Sequence, residues 1–287
     1  MDIVINLNKP KDISSQQAVT KVKKFFVAKK AGHSGTLDPI ATGVLIVCLN
    51  EATKITRFLS ALDKEYRVKV KLGERTDTFD LTGRLLEKKD HFSLSEKDVQ
   101  DVLKKFIGQI KQTPPMFSAI KIKGQLLYKL ARRGIEIKRP ERLIHIYGLD
   151  LIGFAPPYLD LIIRCSKGTY IRSLCNDIGK ALGVGAHIIF LERTKVGNFR
   201  IEDSASIEEL SCKRESIHSI DSAISFLEEI ILDEESYRRA KNGMPVISVT
   251  EKKLINQYLR LKGGTENKLF GIGRVEGKII KIERLLN

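Results

Sequence analysis

Three observations predict an α+β fold, with a mixed, largely antiparallel central sheet flanked by helices. Helix and strand patterns interleave along the 287 residues, yet several strand patterns follow one another directly, unlike a regular βαβ series. "EYRVKVKLG" alternates strictly, with Tyr66, Val68, Val70 and Leu72 on one face and Arg67, Lys69 and Lys71 on the other. The closing run "LFGIGRVEGKIIKIERLL" threads short apolar stretches between glycines and predicts a small β-rich module. A boundary near residues 225–232 gives a first domain over 1–230 and a second over 231–287. The second lies near the lower size limit for an independent core.

The elements follow in order. "DIVINLNKP" is a short strand that stops at Pro10. "SSQQAVTKVKKFFVA" is a helix capped by Ser14 or Ser15, with Ala18, Val19, Val22 and Phe26 at helical spacing and lysines on the other face. "GHSGTLDPIATG" is a loop, and the continuous apolar run "GVLIVCL" is a buried strand. "EATKITRFLSAL" reads as an amphipathic helix, and "ERTDTFDLTGRLL" as a polar turn leading to a strand. "SLSEKDVQDVLKKFIGQI" reads as a helix opened by a capping box from Ser95 to Asp98. Residues 112–140 are irregular and rich in cations. "LIHIYGLDLIGF" and "YLDLIIRCS" are strands joined at "APP". "GTYIRSLCNDIGKALG" is a helix with Ile171, Leu174, Ile178 and Leu182 in register, and "AHIIFLERTKVGNF" a last strand before the boundary.

Charge narrows the partner. Fifty Lys and Arg against 35 Asp and Glu leave +15, with a pI of about 9.6, which favours a polyanion such as nucleic acid. The cations are spread along the chain, so folding must assemble any footprint. No apolar run nears the roughly 18 residues of a membrane span. The acid at position 2 and the lack of a basic lead-in argue against a signal peptide. Cys48, Cys165, Cys175 and Cys212 form no CxxC pair and no zinc spacing. Buried free thiols and a reducing, cytoplasmic setting are expected.

The glycine loop is tested by spacing. A Walker loop needs Lys and Ser or Thr after its last glycine, but Val44 and Leu45 follow Gly43. A dinucleotide fingerprint needs GxG, which is absent. His33 and Asp38 alone are too few for a metal. What is left is either an Asp-Pro turn or one carboxylate held in a shaped loop. Pro39 pushes Asp38 out of helical backbone, and Gly35 and Gly43 allow close approach or positive φ. In "CSKGTYIRSL", Tyr170 and Arg172 open a helix and could meet an anion, although such an arginine is usually only solvated. Tyr66 is either a core residue or a stacking platform for a base.

The motifs together carry a resemblance. "GHSGTLDPIATGVLIVCLNEATK", "DKEYRVKVKLGERTDTFD" and "CSKGTYIRSL" with "GAHIIFLERTKVG" resemble the signature blocks of the bacterial tRNA pseudouridine synthase B family. "NKPKDISS" resembles its opening motif and "TPPMFSAIKIKGQLLYKLARRGIE" its RNA-binding insertion, set at about 108–140. The match is ordered over roughly residues 5 to 200. The dyskerin-type, guide-dependent enzymes share the aspartate loop, but the Ala-Thr-Gly form and the insertion resemble the stand-alone enzyme.

The resemblance implies a pseudouridine synthase fold with a C-terminal PUA-like module. It implies isomerisation of uridine-55 in the tRNA T-loop to pseudouridine, by base flipping and without cofactor or metal. Asp38 would be the nucleophile, with attack on the sugar, attack on the base and removal of a sugar proton all open. Arg172 would pair with Asp38 and aim it by a fixed fork. Tyr66 would stack on the flipped uracil, Tyr170 and Leu191 line the base pocket, and His33 support the emptied loop. Lys121, Lys123, Arg132 and Arg133 would meet phosphates. The partner would be the T-stem-loop and elbow of tRNA, with no membrane, no obligatory protein partner and a monomeric chain. A non-catalytic RNA binder and a guide-dependent subunit are the alternatives.

Overall fold

The structure, a computed structural model, describes residues 1–122, 124–247 and 257–286. The chain opens with β1 (Ile3–Lys9), α1 (Ser15–Phe25), β2 (Ala31–His33), β3 (Thr42–Leu49), α2 (Thr56–Ser60) and β4 (Lys64–Leu72). A hairpin of β5 (Glu74–Thr76) and β6 (Leu85–Lys88) precedes α3 (Glu96–Lys104) and β7 (Gly108–Gln112). A small hairpin of β8 (Lys121–Ile122) and β9 (Gln125–Leu126) leads into α4 (Leu127–Ala131). Then come β10 (Arg142–Ala155), β11 (Tyr158–Cys165), α5 (Ile171–Ala181), β12 (Ala186–Val196), β13 (Phe199–Arg200), β14 (Ile217–Ser219) and α6 (Ile220–Ala223). The chain closes with β15 (Glu228–Ile231), α7 (Glu234–Lys241), β16 (Val246–Ile247), β17 (Tyr258–Gly263), β18 (Lys268–Glu276) and β19 (Ile279–Leu285).

The large sheet runs β14-β1-β3-β12-β4-β11-β10-β7, with β2 and β13 paired at its side. All its ladders are antiparallel except β3 with β12, so the sheet is mixed and largely antiparallel as the sequence predicts. Patterning explains the layers. β3 is buried on both faces because one face meets α1 and the other meets a second apolar cluster. β4 alternates, and its Tyr66, Val68, Val70 and Leu72 join the main core with α5 and α3. Each such fully buried side chain contributes about 1.5–3 kcal/mol. Ser14 caps α1 and closes a capping box with Gln17, an arrangement whose loss costs about 1 kcal/mol.

Two local expectations are corrected. Residues 50–55 form a 3-10 turn rather than the start of an α-helix. The Thr53 and Thr56 hydroxyls donate to carbonyls three residues back, at 2.7 and 2.9 Å, and tighten the turn. The helix after Ser95 stops at Lys104. Gly108, at φ 97°, turns the chain, and Ile110 pairs with Ile144 as β7 joins the sheet edge. The first five residues of the stretch expected as an insertion therefore belong to the sheet.

The second sheet, β15-β17-β18-β19-β16, begins at Glu228. It has its own core around Leu232, Leu259, Leu261, Phe270 and Ile280. Ile272 and Leu286 instead pack with Val4, Val44, Ile46 and Phe58, and the Phe58 and Tyr258 rings meet edge-on at 4.9 Å. The module thus docks on the face of the large sheet opposite the main core.

Candidate active site

A cavity of about 310 Å³ opens where the 34–38 loop, the start of β4 and the first turn of α5 converge. Its volume is at the lower end of the range for small-molecule sites. Asp38, Tyr66, Tyr170, Arg172 and Leu191 all line it. Five residues that the sequence scatters over 150 positions thus share one wall.

Local contacts shape the loop around Asp38. The Ser15 hydroxyl accepts from the Leu37 amide at 2.8 Å and donates to the Leu37 carbonyl at 3.0 Å. The Asp12 amide donates to Pro39 O at 2.8 Å. Lys9, fully buried, donates to Pro10 O, Ile13 O and, at 3.4 Å, Pro39 O; burial lowers its pKa to about 8. Gly43 is needed on two counts. Its φ is 96°, and a Cβ there would sit 2.3 Å from the Arg193 carbonyl. Gly35 has neither constraint: a Cβ would meet Arg193 at an ordinary 3.5 Å.

Asp38 is gripped by a fork. Arg172 donates from Nε to Oδ2 at 2.8 Å and from Nη2 to Oδ1 at 3.2 Å. The guanidinium also donates to Thr78 O at 2.8 Å and Phe117 O at 2.7 Å, and lies 3.8 Å from the buried Asp80. Arg172 is buried, whereas the Asp38 side chain stays about one-third exposed, at 34%. A rigid cation therefore presents a carboxylate to the cavity. The first turn of α5 is itself clamped. The Gln112 amide donates to Tyr170 O at 3.0 Å and accepts from the Tyr170 amide at 2.8 Å.

Tyr66 is both core and wall, since it packs in the main cluster and lines the cavity. Burial raises its phenol pKa, partly offset by the Arg193 charge. Burial likewise raises the Tyr170 phenol. Arg193 donates to Val44 O at 2.7 Å and Gly35 O at 3.0 Å, so it stitches the loop to β12. His33 lies on β2 outside the cavity wall, and its Nδ1 accepts from the Gly35 amide at 3.3 Å. Burial, then the Arg193 charge, lower its pKa. Lys121, Arg132 and Arg133 are exposed around β8 and α4, away from the wall. Lys123 lies outside the described residues.

Lys9, Lys64, Asp80, Gln112 and Arg193 were not singled out from sequence. Lys64 carried a signal, because it shares the alternating face of Tyr66. Among the described residues no cluster of three or more His, Cys, Asp or Glu is placed to hold a metal.

The family model described as TruB family pseudouridylate synthase (N terminal domain) matches residues 23–171. A second, tRNA pseudouridylate synthase B C-terminal domain, matches residues 172–237. The tRNA pseudouridine synthase B of Clostridium tetani is 45% identical, with 100% of both chains covered. The chain belongs to the TruB family of pseudouridylate synthases. The TruB-family enzyme of Haemophilus influenzae (strain PittEE) is 41% identical over 100% of this chain and 95% of its own. The structure of a Cbf5-Nop10-Gar1 complex matches at a TM-score of 0.76 and 25% identity, covering 99% of this chain and 84% of that one. An H/ACA RNP bound to a substrate RNA containing 2'-deoxyuridine matches at 0.75 and 23%, with 99% and 85% covered, and shares the fold. The TruB-family match divides at residues 171 and 172, inside α5. Its two parts therefore interleave in one sheet, with Asp38 in the first and Arg172 in the second.

Proposed function

We propose that this chain isomerises uridine in tRNA to pseudouridine, at position 55 of the T-loop. The observation that carries the reading is the bidentate Arg172–Asp38 pair in a cavity walled by Tyr66, Tyr170 and Leu191. A uracil cannot be reached within the stacked loop, so it must be extruded into such a pocket. Tyr66 offers its ring as the stacking face, and Leu191 and Tyr170 complete the apolar wall. His33, on the strand leading into the loop, supports the space the base vacates.

The reaction breaks the bond between C1′ and N1 and makes one between C1′ and C5. The C5 proton leaves and N1 gains one, so atoms balance without an external reactant. Asp38 is the nucleophile. Attack on the sugar, attack on the base and abstraction of a sugar proton remain three routes for the same carboxylate. Arg172 fixes its direction. No general acid and base pair of the glycosidase kind is demanded, because no water enters.

Residues 1–230 act as the catalytic domain, with Lys121, Lys123, Arg132 and Arg133 of its insertion on RNA phosphates. Residues 231–287 act as a PUA-like RNA-binding module. The chain works in the cytoplasm as a monomer, needing neither cofactor nor obligatory protein partner. The test is the purified chain with an unmodified T-stem-loop transcript labelled with tritium at uridine C5. Label release, with mass mapping of the product to position 55, is expected. No release from that RNA or from full-length tRNA sinks the reading, and release only with added protein or guide RNA sinks the stand-alone part.

A further inference from the structure

The lining of the cavity holds positive charge that the mechanism leaves unused. Lys64 is the first residue of β4 and is 8% exposed. It lines the cavity with Ser60, Ser166, Gly168 and Thr169. Two of its three protons go to carbonyls, Ser60 O at 2.8 Å and Leu62 O. Among the described residues no carboxylate lies within ion-pair distance of it. A buried ammonium without a counter-ion is costly; Lys9 gives its protons to three carbonyls away from the cavity wall, whereas Lys64 keeps one proton free and lines the cavity, where a ligand can supply the anion.

The surroundings point the same way. Lys64 pairs across the sheet with Cys165, the last residue of β11, so the 166–169 loop lies at the same sheet end. From that loop Lys167 adds a second positive field at Lys64, and Arg193 adds a third from β12. Asp63 is the nearby acid, and it accepts from the Tyr147 hydroxyl at 3.3 Å. Gly168, at φ 81°, has open space around its missing side chain. Tyr66 stands two residues further along the same face, about 6.7 Å from strand rise alone. A base lying on Tyr66 thus has Lys64 within reach of its own sugar and phosphate.

We propose that Lys64, backed by Lys167, binds a non-bridging phosphate oxygen of the nucleotide whose base enters the cavity, and so sets how deep that base is drawn. This rests on the base-flipping reading above. The titratable and charged groups around Lys64 are Arg193 from β12, Cys165 from β11, Lys167 from the loop and Asp63 before it in the chain. Burial raises the Cys165 thiol to about 11, leaving it neutral at pH 8. Burial lowers Lys64 to about 8, so its charge is present below that pH and lost above it.

The test uses the full chain and T-stem-loop RNAs carrying one uncharged methylphosphonate at each phosphate flanking the target. With wild type, one position is expected to weaken binding by about tenfold. K64Q should lose that sensitivity, bind natural RNA more weakly, and lower the salt slope by about 0.7. K64R should behave as wild type but hold its affinity above pH 8. The wild-type scan stands even where K64Q does not fold, and absence of a sensitive phosphate there overturns the proposal. So does K64Q retaining the sensitivity, or losing only the rate at saturating RNA, which would place Lys64 on the base. A wild type that makes no pseudouridine but keeps the sensitive phosphate would overturn the functional reading and leave the anion site standing.

Discussion

Arg172 and Asp38 are 134 positions apart, yet two N–H groups of one guanidinium meet both oxygens of one carboxylate. The pair is held from behind by Thr78 O and Phe117 O. Asp38 therefore faces the cavity in a fixed direction. Asp38→Asn keeps the shape and removes the charge. Product formation is expected to vanish while RNA affinity stays within about tenfold. Filter binding and tritium release measure the two, and full activity would end the nucleophile assignment.

Arg172→Lys keeps a positive charge and loses the fork. One ammonium cannot reach Asp38, Thr78 O and Phe117 O together, so carbonyls now bonded would be left unpaired. A stability loss of about 1–3 kcal/mol and a single-turnover rate loss of at least about 100-fold are expected. Thermal unfolding and rapid-quench kinetics read them. A rate within threefold of wild type would show that charge alone suffices.

The parts of this arrangement differed in how far the sequence disclosed them. β4 was legible because one face is buried, and alternation records that directly. β7 was hidden because Val99, Leu103 and Phe106 continue at helical spacing toward Ile110; only its ladder with Ile144 marks it as a strand. Asp38 stood out through its loop. Arg193 and Lys64 did not, because their partners are main-chain carbonyls, which have no residue type. Asp80 and Gln112 act across folds of the chain that no local spacing encodes.

Tyr66 packs in the core and lines the cavity, so two variants separate its roles. Tyr66→Leu keeps apolar bulk and is expected to cost under about 1.5 kcal/mol of stability while losing most activity. Tyr66→Phe keeps the ring and loses only the hydroxyl. It should retain more activity than the leucine variant. Should Leu and Phe prove equally active, the ring is not a stacking platform.

The thiols offer a check on burial. Cys48 and Cys165 are buried, and burial raises each to about 11. Burial raises Cys175 as well. Cys212 is exposed. Reaction with a thiol reagent at pH 8 is expected to modify one cysteine rapidly, mapped by peptide mass to Cys212, and the rest only in denaturant. The thiolate, present once pH passes the pKa, is the reacting form. Rapid labelling of Cys165 would mean that the sheet end near Lys64 opens in solution.

The cationic insertion makes the last prediction. Lys121, Arg132 and Arg133 are exposed and, among the described residues, make no ion pair, although Arg132 lies 5.6 Å over the Tyr128 ring. The same segment sends Phe117 O to Arg172 and lines the cavity with Ser118 and Ala119. Cations that touch only phosphate should change affinity uniformly across RNA sequences and leave the bound rate alone. Replacing all three by alanine is expected to flatten the dependence of log affinity on log salt by about 2 units, at roughly 0.7 to 0.9 per phosphate. The rate at saturating RNA should stay within about threefold. An unchanged slope would remove these residues from the RNA footprint. A flattened slope with a collapsed saturated rate would mean instead that the insertion positions Arg172, through the Phe117 carbonyl, and does more than dock RNA.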